Sequence, residues 1–115
     1  MHLAFVYCPV KDLDAALRFY HEQLGFEIAW REGDSTVGLK VPGTDVRLMI
    51  DVDEDERAGG PGPVFLVDSV DAFWQERRGE FRFSREPVDI PGGRWAVFED
   101  PSGHAVRILD ESRPL

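Results

Sequence analysis

Three histidines, one cysteine, two tyrosines and a surplus of carboxylates are the groups of this 115-residue chain that could do chemistry. Their spacing narrows what that chemistry is. His2 stands at the head of a short apolar run, His21 lies in a stretch of helical periodicity, and His104 closes the turn sequence Asp100-Pro101-Ser102-Gly103-His104. No Ser-His-Asp or Cys-His arrangement converges on this reading, so nucleophilic catalysis is not expected. Cys8 lies in an apolar segment, where a thiol behaves as a small hydrophobe; a single cysteine cannot form an internal disulfide and fits a reducing cytosol. Gly59-Gly60-Pro61-Gly62 has no following lysine and precedes a strand, which argues against a phosphate cradle. Glu99 beside Tyr7 could move a proton only if burial raised its pKa, and this reading ranks behind simple binding. Arg47 and Arg107 sit in two similar runs, Val46-Arg47-Leu48 and Val106-Arg107-Ile108. A solvated charge or an ion pair is the plainer role for each; the functional one is to grip a carboxylate or phosphate with two parallel hydrogen bonds.

The elements that must position these groups follow from periodicity. Leu3 to Cys8 reads as a strand ending at Pro9. Asp12 opens a helix over about Leu13 to Leu24, with apolar residues at Ala16, Leu17, Phe19, Tyr20 and Leu24 and with Gly25 as its stop. Three strand-like runs follow, Phe26 to Arg31, Thr36 to Val41 and Val46 to Asp51, separated by turn clusters. The charged, glycine- and proline-rich stretch from Asp53 to Pro63 is expected to pack as no element and to serve as a linker. The same order then recurs. Val64 to Val67 reads as a strand, a helix opens near Asp68-Ser69 and stops at Gly79, and Phe81 to Arg85, Arg94 to Glu99 and Ala105 to Leu109 read as strands. Val10-Lys11-Asp12-Leu13-Asp14-Ala15 aligns with Val67-Asp68-Ser69-Val70-Asp71-Ala72, as expected of a duplication.

Length and charge set outer limits. The chain is long enough for one compact core, and each half of about 57 residues alone would be a poor fold. No apolar run approaches the roughly 20 residues of a membrane helix, and no basic segment precedes the first hydrophobic stretch, so neither a membrane span nor secretion is expected. With 22 acidic and 13 basic residues, the net charge of −9 opposes nucleic acid as a partner. It serves solubility, or it attracts a cationic ligand.

The duplicated strand-helix-three-strand order, the opening Val10-Lys11-Asp12-Leu13 with Leu17-Arg18-Phe19-Tyr20 and Leu24-Gly25-Phe26, and the closing Phe98-Glu99-Asp100-Pro101-Ser102-Gly103-His104 together resemble the glyoxalase/bleomycin-resistance/extradiol-dioxygenase superfamily, also called vicinal oxygen chelate. The resemblance covers nearly the whole chain. It implies an α+β fold in which two βαβββ modules form an open, U-shaped mixed β-sheet barrel with helices outside and a trough within. As a single domain it divides into a module of residues 1–53, a linker of 54–62 and a module of 63–115. It often implies a homodimer, with modules paired within one chain or between chains; a cytoplasmic location is expected from the lone Cys8 and the missing export and membrane signals.

Enzymes of the superfamily usually hold a divalent metal through His, Glu or Gln at four positions, which the resemblance places here at Phe5, Arg47, Gly62 or Pro63, and Arg107. Phenylalanine and glycine offer no ligand atom, and arginine stays protonated, so no metal site and no cofactor are expected. Strand parity assigns the trough face instead. If Val46, Leu48, Ile50, Val106 and Ile108 face the helices, then Phe5, Tyr7, Arg47, Met49, Trp95, Val97 and Arg107 face the trough as ligand-binding residues. For Phe5, Tyr7 and Trp95, core filling or dimer contact is the competing role. The function expected is metal-independent binding of a small molecule, with sequestration of an antibiotic or metabolite as its purpose. The alternative is a divalent-metal-dependent glyoxalase-type lyase or dioxygenase, reached if the alignment slips and recruits Glu99 or His104. Whether the chain is an enzyme is left open.

Overall fold

The computed structural model describes residues 1–114, which form two compact units, one of residues 4–61 and one of residues 62–114 together with 1–3. β1 (His2–Pro9), which lies in the first unit from Ala4 on, leads to α1 (Leu13–Leu17), which runs on into a π-helical turn, Arg18–Gln23. β2 (Ile28–Glu32), β3 (Thr36–Lys40), β4 (Arg47–Asp51) and a one-turn α2 (Glu54–Arg57) complete it. The strands lie in the order β2, β3, β4, β1, with β1 parallel to β4 and the other pairs antiparallel. In the second unit β5 (Gly62–Leu66), α3 (Val70–Arg77), β6 (Phe83–Ile90), β7 (Gly93–Glu99) and β8 (Ala105–Leu109) follow, in the order β5, β8, β7, β6. Each unit is thus a βαβββ module, and the class is α+β.

Local chemistry explains the element ends. The Asp12 carboxylate caps α1 by accepting from the Ala15 amide at 3.1 Å, and Ser69 caps α3 by accepting from Ala72 at 3.1 Å. Gly25 supplies the left-handed residue after the π-helical turn, with φ of 82°. α3 ends at Arg77, just before Gly79 as expected, although Gly79 does not take the left-handed backbone.

One sheet face in each unit packs on its helix. Leu13, Val37, Leu39 and Ile50 make the first core, with Cys8, Leu17, Tyr20 and Leu48 against it. Val70, Ala96, Phe98 and Ile108 make the second, with Phe65, Phe73, Phe81, Phe83 and Val106 around them. Phe98 stacks on both Phe73 and Phe81, at centroid distances of 5.5 and 5.2 Å. Each fully buried aliphatic side chain contributes roughly 1.5–3 kcal/mol.

The stretch expected to be structureless is not. Asp53 accepts from the amides of Asp55 and Glu56, which starts α2, and Glu56 is buried to 5% exposure. A cap and one anchored side chain suffice for a single turn even where composition forbids a larger core. β5 then begins at Gly62, inside the expected linker.

Candidate functional site

Pleating puts the row Leu48, Ile50 on the helix side of β4 and hence Arg47, Met49 and Asp51 on the other. Cross-strand register extends that row into a face. Phe5 lies opposite Arg47 and Tyr7 opposite Met49 on β1, while Lys40, Gly38 and Thr36 of β3 lie opposite Arg47, Met49 and Asp51. β2 adds Trp30 opposite Gly38 and Glu32 opposite Thr36. Four of the expected site residues, Phe5, Tyr7, Arg47 and Met49, therefore share one face of the first unit.

This face is polarised along the strands. At one end the Tyr7 hydroxyl donates a short hydrogen bond to Asp51, whose other oxygen accepts from the Thr36 hydroxyl at 2.6 Å. Tyr7 is 1% exposed, and burial, the Asp51 hydrogen bond and the charges of Asp51, Glu56 and Asp53 push its phenol far above the ordinary range. It stays a neutral donor. In the middle, the Trp30 indole lies over Gly38, where a Cβ would come within 2.3 Å of the ring, and meets Phe5 edge to face at 6.1 Å. At the other end are Arg47 and Lys40, the latter paired with Glu27 at 3.8 Å.

In the second unit Trp95, Val97 and Arg107 likewise lie opposite to the helix-packed Ala96, Phe98 and Ile108. Val97 is the cross-strand partner of Arg107, and Val64 its partner on β5. All three are buried, Arg107 completely. A side chain at Gly62 would begin 3.6 Å from the Arg107 guanidinium.

The two arginines are not equivalent. Val10 bonds Asp51 and Val67 bonds Leu109 through the backbone, so with Val10 matched to Val67 the register counterpart of Arg107 is Met49. Their surroundings differ too. Arg107 and Trp95 are engaged by neighbours, whereas the part-buried Arg47 side chain forms no hydrogen bond or ion pair with any described residue.

The positions at which a metal is implied do not fit one. Phe5 and Arg47 face each other across β1 and β4, which places a ring and a fixed cation where two donors are needed. Among the described residues no group of three His, Cys, Asp or Glu side chains is disposed to hold a metal ion. Glu99 and His104, which a slipped alignment would recruit, have partners of their own, as does His21. His21 Nδ1 is 2.6 Å from the Phe26 carbonyl, His104 pairs with Asp100 at 2.9 Å, and Glu99 pairs with Arg82 at 3.3 Å. Glu99 and Asp100 border an open groove of about 650 Å³ with Glu80, Phe81 and Phe98, which brings together no catalytic set.

Sequence parity alone could have found Asp51, two residues beyond Met49 on the same row. Trp30 was harder to place, because a bulge between Ile28 and Trp30 breaks the alternation on which parity depends.

Solved structures carry the same fold. A Legionella pneumophila protein described as an NAD-dependent benzaldehyde dehydrogenase aligns with a TM-score of 0.76 at 21% identity, over 94% of this chain and 98% of that one. The methylmalonyl-CoA epimerase of Mycobacterium tuberculosis aligns at 0.66 and 26%, over 97% and 89%. A variant of the Streptomyces coelicolor methylmalonyl-CoA epimerase, in complex with 2-nitronate-propionyl-CoA, aligns at 0.74 and 21%, over 98% and 99%. Among curated proteins none matches this sequence. The family profile that does match takes in residues 2–108, from the first strand into the last, and with it the chain belongs to the Glyoxalase/Bleomycin resistance protein/Dioxygenase superfamily.

Proposed function

We propose that this chain is a metal-independent small-molecule-binding member of its superfamily, sequestering a metabolite or an antibiotic. One observation carries the reading: the four positions implied to ligate metal hold Phe5, Arg47, Gly62 and Arg107, and the residues beside them are aromatic or apolar. Faces that combine rings, methionine and a few fixed polar groups are what ligand pockets are made of. The residues assigned to ligand contact are Phe5, Tyr7, Arg47 and Met49 on the first unit and Trp95, Val97 and Arg107 on the second. The same fold holds an acyl-CoA derivative in the Streptomyces coelicolor epimerase, which supports an organic ligand. At that identity the epimerase activity itself is not carried over.

The reading also takes the protein to be a cytoplasmic homodimer. The part-buried Cys8, which is in no disulfide, and the exposed Phe19 and Leu24 support this, and light scattering on the purified protein checks the dimer. Among the described residues no helix is long and apolar enough to cross a membrane.

The test is a thermal-shift screen against metabolites and antibiotics, run once with chelator and once with Mn, Ni, Fe, Co or Zn. Stabilisation by an organic compound that persists in chelator is expected. Stoichiometric metal found by elemental analysis, with ligand stabilisation only in its presence, would overturn the reading and restore the metal-dependent lyase or dioxygenase. Stabilisation unchanged in Arg107→Ala and Trp95→Ala would remove those two residues from the site.

A further inference from the structure

We infer that Arg47 is the anion-recognition group of the first unit's face, and that the ligand carries a carboxylate or phosphate next to an aromatic or flat apolar part. The inference rests on the small-molecule-binding reading and fixes the sign of the ligand's charge.

In a chain with 22 acidic and 13 basic residues, a part-buried arginine ordinarily finds a carboxylate. Arg47 has found none among the described residues, although its strand neighbour Lys40 has Glu27. The acid on its own row is spoken for. Asp51 lies four residues along β4, roughly 13 Å away at strand rise, and both its oxygens accept hydroxyl donors, from Tyr7 and Thr36. Asp51 is therefore satisfied internally, and Arg47 is not. The ground beside Arg47 is apolar: Phe5 directly opposite, Trp30 edge-on to Phe5, and Met49 one pleat further along. A planar guanidinium takes a carboxylate or phosphate with two parallel hydrogen bonds while a ring attached to that group lies on such a surface. Arg107 does not share this role, because its side chain is fully buried.

The experiment is calorimetric titration of the full chain with four probes of one shape: naphthoate, naphthyl phosphate, neutral naphthol and cationic naphthylmethylamine. The wild-type protein is expected to prefer one of the two anions over naphthol by roughly tenfold, the scale of one charge-assisted pair. Which anion binds identifies carboxylate or phosphate as the source of the charge. Arg47→Gln should abolish that preference without moving the melting temperature, and Arg47→Lys should keep part of it. Lys11→Gln removes the same unit of charge from an exposed site and should change affinity by less than about twofold. The inference falls if anion and neutral probe bind equally, if the amine binds best, if none of the four binds, or if Lys11→Gln costs as much as Arg47→Gln. A preferred neutral or cationic probe would sink this inference and leave the binding reading standing; that reading fails only when the broader panel yields no metal-independent ligand.

Discussion

Tyr7 is held in one orientation because its ring is buried among strands and its hydroxyl has a committed acceptor in Asp51. Its raised pKa has a sign that can be checked. The folded state keeps the phenolic proton where the unfolded chain, with a pKa of about 10, has lost it. The stabilisation is therefore complete below pH 10 and fades as pH rises above it, by about 1.4 kcal/mol per pH unit for one such group. Urea unfolding between neutral pH and pH 11 should show a steeper loss in the wild type than in Tyr7→Phe. Tyr20, whose phenol is also pushed up by burial and the nearby Cys8, leaves a residual slope in the variant. At neutral pH Tyr7→Phe should cost about 1 kcal/mol, the net worth of one hydrogen bond. Gly38 makes a second residue-level claim. It is needed for space and not for conformation, since a Cβ there would meet three atoms of the Trp30 indole within 2.7 Å. Gly38→Ala should displace the ring at a cost of about 1–3 kcal/mol, read as a lower urea midpoint and an altered tryptophan emission. An unchanged midpoint would show that Trp30 has another seat of equal energy.

Among the elements, α3 and β7 depend on one side chain. The buried Asp110 carboxylate accepts from the Val70 amide at 2.7 Å, the Arg94 amide at 2.9 Å, and the Ser112 amide and hydroxyl at 3.1 and 2.6 Å. Burial opposes its charge, but the bonds from Ser112, Val70 and Arg94 outweigh it and hold the carboxyl below the usual range. A depressed folded pKa gives stability that is present above the unfolded value near 3.9 and is lost as pH falls below that value and through the lower folded one. Asp110→Asn should lower stability at neutral pH by about 2 kcal/mol and flatten the acid limb of the unfolding profile. Gly93 is the complementary case, because a Cβ there would lie 1.8 Å from the Asp110 carbonyl oxygen, a backbone atom with little freedom to move. Gly93→Ala should cost about 3 kcal/mol or more and show the largest drop in melting temperature among the variants named here. The strands were legible in the sequence because apolar alternation and turn residues mark them, as in Thr36–Lys40 and Ala105–Leu109. What escaped was decided by tertiary detail. α2 rests on one cap and one buried glutamate, β6 continues through Pro87 to Ile90 with register shifts along β7, and the register that separates Arg47 from Arg107 is set by backbone pairing that similar triplets do not reveal.

At the scale of the whole molecule, the duplicated βαβββ order was readable because it depends on the number and type of elements, which composition and periodicity report well. The site was only half readable. Parity assigned Arg47 and Arg107 to faces, but their different surroundings belong to three-dimensional packing. The net charge of −9 makes a whole-molecule prediction. Self-repulsion destabilises the compact state, so raising salt from about 10 mM to about 150 mM, where the screening length falls to about 8 Å, should raise the melting temperature. A fall would mean that attractive pairs such as Arg94 with Asp71 and Asp89 outweigh the repulsion. The Asp110 junction has a further consequence, for the order of events on the ribosome. The amide of Val70 is bonded to a carboxylate forty residues downstream, and the start of β7 leans on the same group. Until residue 110 has left the exit tunnel, α3 opens with an unmet donor and β7 lacks its final tie. The second unit must then wait for its last strand while the first, whose contacts close by residue 61, is free to fold ahead of it.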